Sequence, residues 1–289
     1  MERRLDKKMA YCGVVAALCF AAVFAATFPG RAGRWQRPVA MVSFGDSVFT
    51  DIGGLTPIPD RLAERLGISF YNASMGGTCA ARLEAERRLD SARGSMCLAG
   101  LAKAVRAGDF SVQQTARLRE GNTEHFPEIA AGLAEIDFAR VGLVLIERGV
   151  NDYHAGIPIE NPEDPRDEYT FLGALRCAVE DLRRVNPKVR ILFITPTYTW
   201  YPDMGLTCEE LDNGGGLLEE YVEAQMELGE ELGIETVDLY HDFFPHGEWE
   251  DWERYTMDGL HPNEAGREKI AERIMEALEP EDGAWYTDA

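Results

Sequence analysis

The sequence predicts an α/β fold in which a parallel sheet is covered by helices on both faces. Short apolar runs alternate along the chain with longer segments of helical period, and each main run is a continuous stretch of the kind a fully buried strand shows. The first run, residues 38–44 with Met41, Val42 and Phe44, is broken by Gly45. A weaker second run covers 68–71, and a third, 143–146, precedes Gly149. The fourth covers 191–194 and a weaker fifth 235–239. Helical patterns fill the intervals at 61–66, 95–105, 171–184, 217–232 and 265–278. Such sheets carry their sites outside the carboxyl ends of the strands, and Ser47, Gly77 and Asn151 all fall just past such ends.

Four short islands follow one another in a fixed order. They are Gly45-Asp46-Ser47, Asn72 to Gly77, Gly149-Val150-Asn151-Asp152 and Asp258-Gly259-Leu260-His261. A serine hydroxyl attacks a carbonyl poorly unless a neutral imidazole takes its proton, and a carboxylate on the second ring nitrogen keeps the imidazole in the right tautomer. Ser47, His261 and Asp258 fit these three roles. The tetrahedral oxyanion needs fixed donors, for which the backbone N–H groups of Ser47 and Gly77 and the side-chain amide of Asn151 are the candidates. Pro262 suits the first position of the closing helix, which would set His261 at that helix's N-terminal end. There the helix favours the neutral imidazole while Asp258 favours the charged one.

This pattern resembles the SGNH hydrolase, or GDSL esterase, superfamily. Its four blocks match here as Ser47, Gly77, Asn151 and His261, with Asp258 three residues before the histidine, and the likeness runs over roughly residues 39–278. Val48 stands where the family usually has leucine, a conservative departure. Adjacent glycines leave Gly76 as an alternative donor, although the spacing from Asn72 favours Gly77. The resemblance implies a three-layer α/β/α sandwich of flavodoxin-like type with a five-stranded parallel sheet. It also implies hydrolysis or transfer of an ester-linked acyl group. Each island alone is an ordinary turn, loop or helix cap; their common order and strand context carry the signal.

Other features bear on partners. His125, His154, His241 and His246 show no spacing of a zinc site, so no metal or other cofactor is expected. His154, three residues after Asn151, is a candidate pocket residue. Trp200 and Tyr201, with Tyr198, follow the fourth strand on the edge where ligands sit, and Trp249 and Trp252 precede the last island. Sugar rings stack on such side chains, which makes them candidate substrate-binding groups; the alternative is that they pack the loop 196–216. No Gly-x-Ser-x-Gly elbow and no phosphate-binding Gly-x-x-x-x-Gly-Lys are present.

Three segments follow from composition: residues 1–37, an enzyme domain over 38–280 and an acidic tail over 281–289. Residues 9–28 are uncharged and mostly apolar, follow Arg3, Arg4, Lys7 and Lys8, and are long enough to span a bilayer. An uncleaved single-pass anchor with an extracytoplasmic domain is the expectation, with a cleaved signal peptide as the alternative. The chain carries a net charge of −21 although residues 1–37 are basic, so the remainder is strongly acidic and repels nucleic acid and anionic membrane surfaces. Cys12 and Cys19 lie in the apolar run, leaving Cys79, Cys97, Cys177 and Cys208 either as thiols or as up to two disulfides, Cys79 with Cys97 among the pairings.

The sequence thus reads as a serine esterase removing a small acyl group, such as acetyl, from a carbohydrate. Lipase, thioesterase or acyltransferase chemistry and a catalytically silent glycan-binding module are the alternatives.

Overall fold

The computed structural model describes residues 39–83, 91–116 and 125–278. The apolar run at 9–28 and the acidic tail lie outside these residues. Among the described residues no helix is long and apolar enough to cross a membrane.

Five parallel strands form the central sheet: β1 (Met41–Phe44), β2 (Phe70–Asn72), β3 (Leu143–Glu147), β4 (Arg190–Ile194) and, after a short ribbon, β7 (Glu235–Val237). Their spatial order is β2-β1-β3-β4-β7, the flavodoxin-like order with its switch point between β1 and β3. β1 and β3 are buried at every position, whereas the edge strands β2 and β7 are partly exposed. That difference explains the weaker apolar signal of the second and fifth runs, since an edge strand has fewer neighbours to bury against.

Helices cover both faces. On one, α1 (Ile58–Leu66) packs against the closing helix α7 (Glu264–Leu278). On the other, α2 (Leu98–Ala107) packs against α5 (Phe171–Val185), which in turn meets α6 (Leu218–Leu232). Among the helices not evident in the sequence are α3 (Phe126–Ala134) and the five-residue α4 (Val150–His154). α5 starts on Thr170, whose hydroxyl accepts from Gly173 N–H at 3.2 Å, and α6 ends on Gly233 at φ +62.

The loop after β4 contains an antiparallel ribbon, β5 (Trp200–Tyr201) with β6 (Leu206–Thr207). Its Trp200 N–H donates to Gly259 C=O at 2.9 Å and so anchors the loop that holds His261. Pro262 is not the first residue of α7. The helix begins at Glu264 and is capped by Asn263, whose side-chain oxygen accepts from Gly266 N–H at 3.1 Å. Pro262 instead pairs with Thr256 in a β-bridge, which sets His261 outside the helix and removes most of the dipole effect expected there. Cys79, Cys97, Cys177 and Cys208 are free thiols. The Cys97 sulfur caps α2, accepting from Gly100 N–H at 3.4 Å and donating to Gly94 C=O at 3.3 Å, so it is engaged without a disulfide.

Candidate active site

Ser47 opens a single 3₁₀ turn, Ser47–Phe49, directly after β1. Asp46 caps that turn by accepting from Val48 N–H at 2.9 Å. Asn72, at the end of the neighbouring β2, donates to Phe49 C=O at 3.0 Å and ties the two strand ends together. Ser47 is largely buried at 8% exposure, with its hydroxyl 3.1 Å from His261 Nε2.

The imidazole is set by the loop before α7. Asp258 Oδ2 stands 2.6 Å from His261 Nδ1, while Oδ1 accepts the backbone N–H of His261 at 2.8 Å and of Leu260 at 3.1 Å. Burial by itself would raise the Asp258 carboxyl, but the hydrogen bonds and charge of His261 outweigh it and hold the group below the usual carboxylate range. Arg267 on α7, fully buried, donates to Pro262 C=O at 3.2 Å and to Thr50 C=O at 2.7 Å. One guanidinium thereby joins the loop after Ser47 to the loop after His261.

The three expected donors converge on the same cleft. Met75 C=O accepts Thr78 N–H at 3.3 Å, closing a turn whose third residue is Gly77 at φ +73, a value that favours glycine. Gly76 lies against Ser47, since a side-chain carbon there would approach Ser47 Cβ to 3.4 Å. Among the described residues no acceptor engages the backbone N–H of Ser47, Gly76 or Gly77. Asn151 lies in the first turn of α4, reached through Gly149 at φ +133, a conformation that essentially requires glycine. One N–H of its amide donates to Asp46 Oδ2 at 2.8 Å, which fixes the rotamer and leaves the second N–H for a ligand. This arrangement is chemically able to move a proton from Ser47 to His261 and to meet an oxyanion with several donors.

Behind the cleft sits a set of buried charges not foreseen from the sequence. Glu147 accepts Asp46 N–H at 3.0 Å, and burial together with the Asp46 charge pushes its carboxyl well above the usual range. Asp152 accepts Ala80 N–H at 2.8 Å and Ala81 N–H at 2.9 Å, and burial pushes it up to about 7 against the pull of these bonds and of Arg148. The available signal was the pair Glu147-Arg148 closing an otherwise apolar run, because charged residues are rarely fully buried unless paired.

The cleft has a volume of about 850 Å³ and is lined by Ser47, Gly76, Gly77, Asn151, Asp258 and His261. Among the described residues Thr50, Asp51, Ile52, Gly53, His125 and Leu260 also line it, so His125 joins the site although its sequence context gave no hint of it. The expected aromatic platform does not reach the cleft. Trp200 is buried at 2% exposure and packs edge-on against Tyr198, with ring centroids 4.7 Å apart, so it offers no stacking face. Tyr201 is half-buried with its hydroxyl 2.8 Å from His154 Nε2, and neither residue lines the cavity. Burial, then the neighbouring His261, lowers the His154 pKa. Among the described residues one group, Glu219, Glu223 and His241, brings potential metal ligands within 4.8 Å of one another, and all three are exposed.

The sheet order and a cleft at its carboxyl edge lined by Ser47, Asn151, Asp258 and His261 define a flavodoxin-like α/β protein with an enzyme-type site. The chain belongs to the GDSL-like lipase/acylhydrolase family, whose model matches residues 43–269, and is accordingly a hydrolase of ester bonds. Solved structures share the fold. A protein from Lactobacillus plantarum aligns at TM-score 0.58 and 21% identity, over 84% of this chain and 98% of its own. A structure described as a possible lipase from Chitinophaga pinensis aligns at TM-score 0.54 and 18% identity, over 82% and 96%. No curated protein matches the chain.

Proposed function

We propose that the protein is a serine esterase that removes a small acyl group, such as acetyl, from a polar alcohol of the carbohydrate class. The observation that carries the reading is the unbroken chain Ser47 Oγ, His261 Nε2 and Nδ1, Asp258 Oδ2, with steps of 3.1 Å and 2.6 Å, beside unengaged N–H groups. Ser47 attacks the acyl carbon as His261 takes its proton, and the backbone N–H groups of Ser47 and Gly77 with the Asn151 amide bind the oxyanion. His261 then protonates the leaving alcohol, and water attacks the acyl-enzyme with His261 again as base.

The cleft supports a short acyl group. Among the described residues Ile52 and Leu260 are the large apolar side chains in its wall, while Thr50, Asp51 and His125 offer hydrogen-bonding groups to a hydroxylated alcohol. The aromatic residues after β4 lend no support to sugar stacking, so the carbohydrate assignment rests on the hydrogen-bonding side chains of Thr50, Asp51 and His125. A panel of nitrophenyl esters from acetyl to palmitoyl, run beside acetylated xylose and glucosamine oligomers, tests it. Rates highest for acetyl esters and acetate release from the sugars are expected; a preference for long acyl chains would overturn the substrate class in favour of a lipase. We further propose that the 9–28 run anchors the domain on the outer side of a membrane. Protease treatment of intact cells expressing the full chain should then remove the domain, and full protection would contradict this location.

A further inference from the structure

The segment Glu147 to Asp152 touches the loops that carry Ser47 and Gly77. Glu147 and Asn151 engage Asp46, next to Ser47, whereas Arg148 and Asp152 engage the loop that follows Gly77. Arg148 is fully buried, and its Nη1 donates to Thr78 C=O at 2.8 Å and also to the Thr78 hydroxyl. That hydroxyl in turn donates to Met75 C=O at 2.6 Å, across the turn that contains Gly76 and Gly77. Asp152 holds the next two N–H groups, those of Ala80 and Ala81.

Gly77 has no side chain and, among the described residues, its N–H has no acceptor, so its neighbours set its direction. The neighbours on its carboxyl side are held by Arg148 and Asp152, and a charged hydrogen bond away from water is among the stronger ties a loop can have. Burying a guanidinium is costly, and among the described residues no hydrogen-bond acceptor meets the Nε and Nη2 of Arg148, so simple packing is a poor account of it. We infer that Arg148 is a positioning residue of the oxyanion hole: through the carbonyl and hydroxyl of Thr78 it fixes the Gly77 N–H relative to Ser47. The inference rests on the serine-esterase reading and adds to it a group that never touches substrate.

The test measures kcat and KM for nitrophenyl acetate in the parent and in Arg148→Met, Arg148→Lys, Thr78→Val and the Arg148→Lys/Thr78→Val pair, with Ser47→Ala as control. Arg148→Met should lower kcat about ten- to a hundred-fold, the scale of a misplacement of about 1 Å, with KM within about two-fold, because the donor counts only once charge has developed. Arg148→Lys should recover part of the loss, since an ammonium still donates to Thr78. Thr78→Val should lower kcat in the same direction, and the pair should cost less than the product of its members, because both act through one bond. Thr78→Val and the lysine variant decide the matter if the methionine variant does not fold. A change in melting temperature with kcat kept in both, or a loss confined to KM, overturns the inference. Hydrolysis that survives Ser47→Ala would instead overturn the esterase reading, so the two failures are distinct.

Discussion

Two turns of this protein orient a histidine in the same way and differ in what the histidine faces. In Asp238-Leu239-Tyr240-His241, Asp238 Oδ1 accepts the N–H of Tyr240 at 2.9 Å and of His241 at 3.1 Å, and Oδ2 lies 2.9 Å from His241 Nδ1. Asp258 does the same for Leu260 and His261, at 3.1, 2.8 and 2.6 Å. Beyond Nε2 the likeness ends. His261 meets the Ser47 hydroxyl at 3.1 Å in the cleft, whereas His241 faces the Glu219 carboxylate at 3.7 Å on the exposed start of α6. Asp-x-x-His is therefore a local device for holding an imidazole in one tautomer and direction. On the proposed reading, chemistry enters only where the fold brings that imidazole to a serine hydroxyl and N–H groups, here through the Trp200 anchor and the Arg267 bridge.

The comparison can be broken most sharply at the nucleophile. Ser47→Ala leaves His261 as idle as His241, and turnover of nitrophenyl acetate should fall by about 10⁴-fold or more. The thermal melt should stay close to the parent's, because a lone hydroxyl at a strand end adds little to the core. The orienting carboxylates come next. Asp258→Asn should cost about 10²–10⁴-fold in kcat through loss of the tautomer lock, while Asp238→Asn should leave kcat within about two-fold; equal effects would erase the distinction between the turns. Asn151→Ala removes a donor that the second turn has no counterpart for, and about 10²–10³-fold in kcat with little change in KM is expected.

The smallest effect concerns the buried charges behind the first turn. The folded-state pKa of Asp152, about 7, lies above the ordinary value of 3.8, so between these limits the folded protein binds a proton that the unfolded chain does not. Stability should then fall as pH rises through that window, and the melting temperature should be higher at about pH 5 than at about pH 7.5. Asp152→Asn should flatten this slope; an unchanged slope would mean that other groups, the buried Glu147 among them, produce it.

Legibility in the sequence followed burial and distance along the chain. β1, β3 and β4 could be read because strands buried on both faces need continuous apolar runs, and the turns at the strand ends because their glycines mark them locally. Trp200 illustrates the opposite cause: of the two readings open to it, the packed one holds, and whether an aromatic residue faces a cleft or the core depends on the ribbon with Leu206 and Thr207, which local pattern does not encode. Arg148, Asp152 and His125 were hidden for the same reason, since their roles arise from contacts with loops far away in sequence. Pro262 was assigned one helix start too early because Asn263, a better cap, follows it.

The central claim is that His261 activates Ser47 as a nucleophile, and covalent labelling measures it most directly. A fluorophosphonate probe followed by peptide mapping should place one adduct on Ser47 in the parent, none on Ser47→Ala, and strongly slowed labelling in His261→Ala. Equal labelling of the parent and Ser47→Ala, or labelling of Ser47 that is indifferent to loss of His261, would contradict the account.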